Sequence, residues 1–154
     1  MQTQTDEQAG LKSKAERYRR RVREFVRQHG LVGAMNNTKW RELRGAMDEW
    51  ENAPAYEIKY LFDEISEAEV EQAIVETTVA IGDWGDEHFY PMFDIEWVKI
   101  RKLRSVFRGH LIAPEIVDNS AGIRAILERF SIPYVENEFC FTVYGYLKGY
   151  SEPT

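Results

Sequence analysis

A stretch of 39 residues without a lysine or arginine is the feature that most constrains how this chain can fold. Residues 60–98 contain eleven acidic residues, whereas residues 11–30 carry eight basic and two acidic residues, and residues 99–110 carry five basic residues and no acidic one. The fold must either place these oppositely charged segments beside one another or leave the acidic one in water. In the second arrangement the acidic segment forms a single-signed surface that attracts a basic partner. The sequence leaves both arrangements open.

Length and composition favour one independently folding domain. The chain has 154 residues, of which 44% are hydrophobic and 13% aromatic, enough to build a buried core. It contains no run of 18 apolar residues, which excludes a membrane-spanning helix, and its first ten residues lack the apolar stretch of a secretory signal. Cys140 is the single cysteine, so no internal disulfide can form. We therefore expect a cytoplasmic protein without membrane contact.

The N-terminal segment predicts a basic amphipathic helix that ends at Gly30. Apolar residues recur at alternating intervals of four and three and form one stripe on this helix. We expect residues 1–5 to be disordered, residues 6–30 to form a helical extension, and residues 35–150 to form a single globular domain. Packing of the stripe on the body of the protein predicts a monomer, and pairing of two helices predicts a homodimer. The stripe consists of Leu11, Ala15, Tyr18, Val22, Phe25 and His29.

The remaining segments predict an α+β fold with a single antiparallel sheet of about four strands and helices packed on one face. Helices are expected after the capping residues Asn36–Thr38, in the acidic stretch that begins at Ser66, and after Asp118–Ser120. Strands are expected where aromatic and β-branched residues alternate or concentrate, at residues 56–62, 74–81, 95–103 and 139–144. Residues 151–154 are expected to fray.

Four short motifs occur in the order MNNTKWREL (35–43), GDWGDEHFY (82–90), IEWVKI (95–100) and FTVYGY (141–146). Together they resemble a small bacterial family whose activity is not assigned. The resemblance spans residues 35–146 and implies a compact cytosolic domain, without implying a role for any residue. In style alone, a small acidic domain that is rich in aromatic residues and has no catalytic motif also resembles the immunity proteins of interbacterial toxin systems.

The stretch from Gly82 to Trp97 is the candidate binding surface. It contains five acidic residues, five aromatic residues and one histidine, and it lacks lysine and arginine. Large aromatic side chains dominate protein interfaces, and carboxylates speed the encounter with a basic partner. Trp84 and Trp97 could instead fill the core, and Trp97 is the one we expect inside. The residues predicted to contact a partner are Asp83, Trp84, Asp86, Glu87, His88, Phe89, Tyr90, Phe93 and Asp94.

The function that these observations favour is a non-enzymatic, cytosolic protein-binding module. In particular, we expect an immunity or antitoxin-type inhibitor that covers a basic site on a toxin, because the substrate cleft of a nuclease toxin is cationic. We predict no catalytic residue, no cofactor and no bound metal. The sequence contains no nucleophile-elbow motif, no phosphate-binding glycine loop and no Cys/His metal spacing.

Two alternatives belong to other functional classes. A nucleic-acid-associated regulator would use the basic N-terminal helix, and residues 99–108 add further cations. A metal-dependent hydrolase would use the carboxylates around His88, although their spacing matches no calcium loop. The helix residues predicted for nucleic-acid or dimer contacts are Arg17, Arg20, Arg21 and Arg27.

Overall fold

Four α-helices and eight strands, with two short 3₁₀ turns, make up the part of the chain that the structure describes. The structure is a computed structural model and describes residues 2–76 and 83–149, with side chains from residue 9 onward. The helices are α1 (Gln2–Gln28), α2 (Asn37–Asp48), α3 (Glu67–Glu76) and α4 (Ser120–Arg129). The strands are β1 (Leu31–Gly33), β2 (Tyr56–Tyr60), β3 (Ile95–Arg101), β4 (Leu103–Val106), β5 (Glu115–Asp118), β6 (Val135–Glu136), β7 (Cys140–Tyr144) and β8 (Tyr146–Lys148). The 3₁₀ turns span Asp86–Phe89 and Met92–Asp94.

The chain divides into two compact units, residues 1–32 with 147–154 and residues 33–146. In the first unit, the basic helix α1 carries the predicted apolar stripe, of which Val22 is buried and Leu11 is exposed. Gly30 follows α1 with a φ of 61°, a left-handed conformation that glycine adopts without steric cost. Strands β1 and β8 pair as a two-stranded sheet.

A four-stranded antiparallel sheet in the order β2-β3-β7-β6 forms the centre of the second unit. Val98 of β3 lies opposite Ile58 on one side and Val143 on the other, and Ile100 lies opposite Phe141. Because side chains alternate along a strand, these apolar residues share one face of the sheet. Helices α2 and α4 contribute to the same core through Trp40, Leu43, Met47, Ile123 and Leu127.

The opposite face of this sheet is polar and carries α3. Lys99, in the middle of β3, is 1% exposed, and its Nζ lies 2.9 Å from a carboxylate oxygen of Glu67 and 3.0 Å from one of Glu71. It also donates to the hydroxyl of Thr142 on β7 at 2.9 Å. A buried charge is tolerated where it is paired and hydrogen-bonded. Ion pairs therefore attach α3 to the sheet.

The capping signals correctly predict where three of the helices begin. The side-chain oxygen of Asn36 accepts a hydrogen bond from the backbone N–H of Lys39 at 2.8 Å, which caps α2. The Ser66 hydroxyl accepts from the N–H of Glu69 at 3.5 Å before α3. Asp118 accepts from the N–H of Ser120 at 2.9 Å before α4. The mixed α+β class is confirmed.

The single sheet predicted from the sequence is wrong, because the described residues form a four-stranded sheet and two two-stranded sheets. The prediction of helices on one face is also wrong, because α3 contacts the face opposite to α2 and α4. The strand expected at residues 95–103 ends at Arg101. There the Lys102 N–H donates to the carbonyl of Phe139 at 3.0 Å, and the Lys102 carbonyl accepts from Asn119 at 2.8 Å. These bonds turn the chain, and β4 pairs with β5 in a separate antiparallel hairpin.

The strand predicted at residues 74–81 is wrong where the structure describes it. Residues 74–76 belong to α3, and residues 77–81 lie outside the described residues. Glu67 and Glu71 are one helical turn apart and meet the same lysine, so tertiary contacts outweigh the β-branched preference of Ile74 and Val75.

The ends of the chain differ from the predicted boundaries. Helix α1 is described from Gln2 and so includes four residues of the start expected to be disordered. The predicted fraying of residues 151–154 lies outside the described residues, and the second unit ends at residue 146 rather than at residue 150. Of the helices that the structure describes, none is both long and apolar enough to cross a membrane.

Candidate functional site

The candidate site is the segment of residues 83–90, called the acidic loop below, and two of its aromatic residues anchor it in the core. Trp84 is 1% exposed and Phe89 is fully buried. Their rings stack with centroids 5.4 Å apart, and the Tyr56 ring lies 4.2 Å from that of Trp84. The prediction that Trp84 and Phe89 contact a partner is therefore wrong, because the core buries their surface. The expectation that Trp97 lies inside is confirmed.

Three hydrogen bonds fix the backbone around Trp84. The indole N–H of Trp84 donates to the carbonyl of Pro54 at 3.0 Å. The guanidinium of Arg44, on α2, donates to the carbonyl of Trp84 at 3.0 Å, and the Tyr56 hydroxyl donates to the carbonyl of Asp83 at 2.6 Å. Polar groups at a buried anchor need such partners. The acidic loop is thus held against α2 and β2.

The other predicted contact residues of the acidic loop face solvent. The side chains of Asp83, Asp86 and Glu87 are 68%, 83% and 72% exposed. Tyr90, which precedes a cis peptide bond to Pro91, is 81% exposed, and His88 is also exposed. One side of the acidic loop therefore belongs to the core, and the other presents carboxylates and a tyrosine ring to the solvent.

His88 lies between two of these carboxylates. Its Nε2 is 3.2 Å from Oδ2 of Asp83 and 3.7 Å from Oε1 of Glu87. The backbone N–H of Gly85 and, next, the His88 ring hold the pKa of the Asp83 carboxyl below its ordinary value, so this group is ionised at neutral pH. The ligand atoms of the three side chains lie within 4.8 Å of one another, so the group could hold a metal ion, but all three residues are exposed. Asp86 instead lies 2.9 Å from Nε of Arg44.

Phe93 and Asp94 lie in the second 3₁₀ turn, beyond the acidic loop. Asp94 is buried, so the prediction that it contacts a partner is wrong. Burial and, next, the Asp94 charge raise the pKa values of Tyr60 and Tyr146, which places this carboxylate among core-facing phenols. Phe93 is half-buried, and its carbonyl accepts a hydrogen bond from the Tyr146 hydroxyl. This turn leads into β3, and the contact of half-buried Phe93 with a partner stays a prediction.

A groove of about 450 Å³ lies between the acidic loop and β2. Tyr56, Ile58 and Tyr60 of β2 line it together with the loop side chains. The sequence does not reveal this contribution of β2. The alternation of Tyr56, Ile58 and Tyr60 predicts a strand, but it does not tell which later segment meets the strand.

A polar cluster under α3 is the second feature that the sequence does not reveal. Glu67 accepts from the Tyr144 hydroxyl at 2.8 Å in addition to its contact with Lys99. Burial acts to raise the pKa of Glu67, but the hydrogen bonds from Lys99 and Tyr144 outweigh it and leave this pKa below its ordinary value. Burial acts to lower the pKa of Lys99, but Glu67 and Glu71 hold it above the ordinary value. Lys99 is therefore protonated at neutral pH and forms ion pairs with both glutamates.

Cys140 lies at the edge of the same face. A groove of about 350 Å³ between α3 and the start of β7 includes this residue in its lining. The thiol is buried, and burial raises its pKa, so little reactive thiolate forms. Cys140 is thus a small, fully buried residue.

The cations at the end of β3 and in β4 do not form a surface for nucleic acid. Lys99, Arg101 and Arg104 are buried. Arg101 pairs with Glu57 at 2.6 Å, and Arg104 donates to the carbonyl of Ala53 at 2.6 Å. Phosphate contacts require cations that stand clear in solvent.

The arginines of α1 that were predicted to contact nucleic acid or a second copy are all exposed. Arg27 forms an ion pair with Glu24 one turn earlier, and Arg17 donates to the carbonyl of Ser13 at 3.4 Å. Arg20 and Arg21 lie between them on the helix. Contacts within one helix leave the positive charge of these side chains at the surface.

Residues 22–149 match DUF6678, a family of unknown function. The chain belongs to this family. The DUF6678 region contains the acidic loop, its groove and the cluster around Lys99, and the motif resemblance at residues 35–146 lies inside it. The match begins at Val22, within α1, so the last quarter of the basic helix is part of the DUF6678 region. No curated protein and no solved structure matches the chain.

Proposed function

We propose that this DUF6678 protein is a non-enzymatic binding module whose acidic loop covers a basic site on a partner protein. The observation that carries the proposal is the two-sided construction of the loop, in which buried Trp84 anchors a backbone that presents three exposed carboxylates and Tyr90. An anchored backbone loses little conformational entropy on binding. Tyrosine supplies contact area, and the carboxylates steer a cationic partner into place.

Internal ion pairs engage three acidic residues of the segment outside the acidic loop. Glu67 and Glu71 are engaged by Lys99, and Glu96 is engaged by Lys59. Part of the acidic segment is thus neutralised by cations of the second unit. The acidic loop keeps three exposed carboxylates, of which Asp86 pairs with Arg44.

The class of partner that fits this surface is a protein with a cationic cleft, such as a nuclease toxin. In that case the protein acts in the cytoplasm as an immunity or antitoxin-type inhibitor.

The experiment is co-expression with the product of the adjacent gene, followed by co-purification and a growth assay for rescue from toxicity. The test variant reverses the charge of Asp83, Asp86 and Glu87 to lysine. We expect slower association, roughly a ten-fold or larger loss of affinity, and a weaker dependence of the association rate on salt, because long-range attraction is removed.

A matched control reverses Glu51, Glu115 and Glu138, which are exposed residues outside the acidic loop. Both variants change the formal net charge from −6 to 0, since each of three reversals adds two charges. The control should bind within about two-fold of the parent, as remote surface charges are screened. Equal effects of the two variants on a folded protein would contradict the proposal.

A nucleic-acid-associated regulator is the second candidate, and the exposed arginines of α1 favour it. Such a protein would shift labelled nucleic acid in a gel at low salt and lose the shift at higher salt. Reversal of Arg17, Arg20 and Arg27 to glutamate would abolish that shift, whereas reversal of the acidic loop would not.

A further inference from the structure

The groove beside the acidic loop has the chemistry of a site for a cation. It lies between β2 and the loop, and its lining includes Tyr56, Ile58, Tyr60, Asp83, Glu87 and His88. We propose that this groove binds an arginine side chain presented by the basic partner. The inference rests on the proposed function and names the group that the acidic loop recognises.

Charge decides which kind of ligand enters. Of the described residues that line the groove, three are acidic and none is lysine or arginine. Glu57 is engaged by Arg101 at 2.6 Å, which leaves Asp83 and Glu87 as the carboxylates that face a ligand. Both are more than two-thirds exposed, so an incoming cation reaches them without displacing a buried partner. A phosphate or carboxylate ligand would meet repulsion here.

The two tyrosines contribute rings rather than hydrogen-bond donors. The hydroxyl of Tyr56 donates to the carbonyl of Asp83, and that of Tyr60 donates to the carbonyl of His88. With these donors engaged, the β2 side of the groove offers aromatic and aliphatic surface, to which Ile58 adds. Guanidinium groups stack on aromatic rings and are weakly hydrated, and arginine methylenes pack on apolar surface.

The combination of two carboxylates with an aromatic and aliphatic surface favours arginine over lysine. A guanidinium is planar and carries five N–H donors in a fixed fork, so it can bond to Asp83 and Glu87 while its plane lies against a ring. An ammonium is compact, strongly hydrated and less suited to stacking. A groove of about 450 Å³ accommodates the longer side chain.

Gly85 controls the position of the Glu87 carboxylate. A Cβ atom at Gly85 would lie 2.9 Å from each of the two carboxylate oxygens of Glu87. The backbone of Gly85 has an ordinary φ of −64°, so alanine is tolerated there. Gly85→Ala should therefore displace the flexible end of Glu87 and leave the fold intact.

The test is an NMR titration of the isotopically labelled full chain with acetyl-Gly-Arg-Gly-amide. Matched peptides carry citrulline, which is a neutral isostere of arginine, or lysine at the central position. We expect the arginine peptide to shift backbone signals of residues 55–60 and 83–88. Affinity should be several-fold weaker for lysine and at least about ten-fold weaker for citrulline, which lacks the charge.

Adjacent acidic residues give a matched pair of variants. Glu87→Gln and Gly85→Ala should each weaken binding of the arginine peptide about three-fold or more, as expected for loss of an exposed charge contact. Asp86→Asn should change it by less than about 1.5-fold, because Asp86 faces Arg44 rather than the groove. Equal affinity for citrulline, equal effects of the variants at positions 86 and 87, or signal changes elsewhere would overturn the proposal.

A divalent ion is the competing ligand, since Asp83, Glu87 and His88 lie close together. Titration with ZnCl₂ or MnCl₂ tests it directly. Micromolar binding that blocks the arginine peptide would identify the groove as a metal site and overturn the proposal. Failure of the ion to compete supports arginine recognition.

The two proposals fail in distinguishable ways. If the partner protein binds through the acidic loop but Gly85→Ala and Glu87→Gln have no effect, arginine recognition is wrong and the proposed function stands. If the arginine peptide binds as described but no partner protein depends on Asp83, Asp86 and Glu87, the groove binds the cation and the proposed function is wrong.

Discussion

At the scale of single residues, burial separates side chains that the sequence presents as equivalent. Lys99 lies in a stretch of cations that reads as a basic surface, yet it is 1% exposed and serves as the counter-ion of two glutamates from α3. Similarly, Trp84 lies in the core and Tyr90 lies in solvent, although the loop sequence offers both as contact residues. Whether each side chain is buried depends on contacts with residues distant in the chain, and a single sequence does not reveal those contacts.

Replacement of Lys99 tests the ion pairs under α3. We expect Lys99→Met to lower the free energy of unfolding by about 2 kcal/mol, because Glu67 and Glu71 lose their counter-ion; their partial exposure to water keeps the loss at the lower end for a broken buried pair. Urea unfolding at pH 7 measures it. The same replacement at exposed Lys12 should stay within about 0.5 kcal/mol. Equal stability of the two variants would show that the ion pairs do not hold α3.

At the scale of elements, periodicity and caps predict the helices better than they predict the sheets. The cap of α2 at Asn36 and the buried residues Ile123 and Leu127 of α4 follow from local sequence signals. The hairpin β4-β5 does not, because the interruption at Lys102 depends on hydrogen bonds to residues 119 and 139. Strand pairing is a property of distant segments, and local preference is weak evidence for it.

Two glycines provide a matched test of the packing of elements. A Cβ at Gly145 would lie 2.0 Å from the carbonyl oxygen of Ile95, whose strand passes directly beside it, whereas a Cβ at Gly45 in α2 meets nothing within 4 Å. We expect Gly145→Ala to lower the free energy of unfolding by at least about 2 kcal/mol, since backbone cannot yield as a side chain does. Gly45→Ala should raise it by about 0.5–1 kcal/mol because alanine favours the helix.

Thermal and urea unfolding of both glycine variants at equal concentration give the comparison. A Gly145→Ala protein as stable as the parent would mean that residue 145 lies farther from β3. Loss of stability in Gly45→Ala would mean that the open side of α2 at this position is covered.

At the scale of the whole molecule, internal pairing reduces the charge segregation that dominates the sequence. The segment 99–110 supplies Lys99 to Glu67 and Glu71 of the acidic segment, so the two blocks neutralise each other in part, as one of the two sequence-based interpretations predicts. The acidic loop keeps its carboxylates at the surface, as predicted by the second interpretation, in which the acidic segment lies in water. Composition could not distinguish these outcomes, because both hold for different parts of one segment.

Stability should fall in acid, because several carboxyl groups have pKa values below their ordinary ones in the folded chain. Hydrogen bonds from lysine lower the pKa values of Glu67 and Glu136, whose ordinary pKa is 4.5. Hydrogen bonds from Ser120 lower the pKa of Asp118. The unfolded chain binds protons more readily at these sites. The stability that they contribute is therefore present above pH 4.5 and is lost as the pH falls through the lowered values.

Urea unfolding from pH 6 to pH 3 measures this dependence. Glu67→Gln should show a smaller loss of stability between pH 5 and pH 3 than the parent, because one of the titrating groups is gone. Glu138→Gln, at an exposed position, serves as the control and should follow the parent curve. A Glu67→Gln curve with the parent's slope would show that Glu67 does not contribute to acid unfolding.

The indole hydrogen bond from Trp84 to Pro54 has a consequence for how recognition could diversify. Because buried Trp84 anchors the acidic loop in the core, substitutions at the exposed positions 86, 87 and 90 would change the charge and shape of the binding surface while the fold is retained. A library randomised at those three positions should yield mostly folded proteins, and selection against toxins of different surface charge could then retarget the same framework.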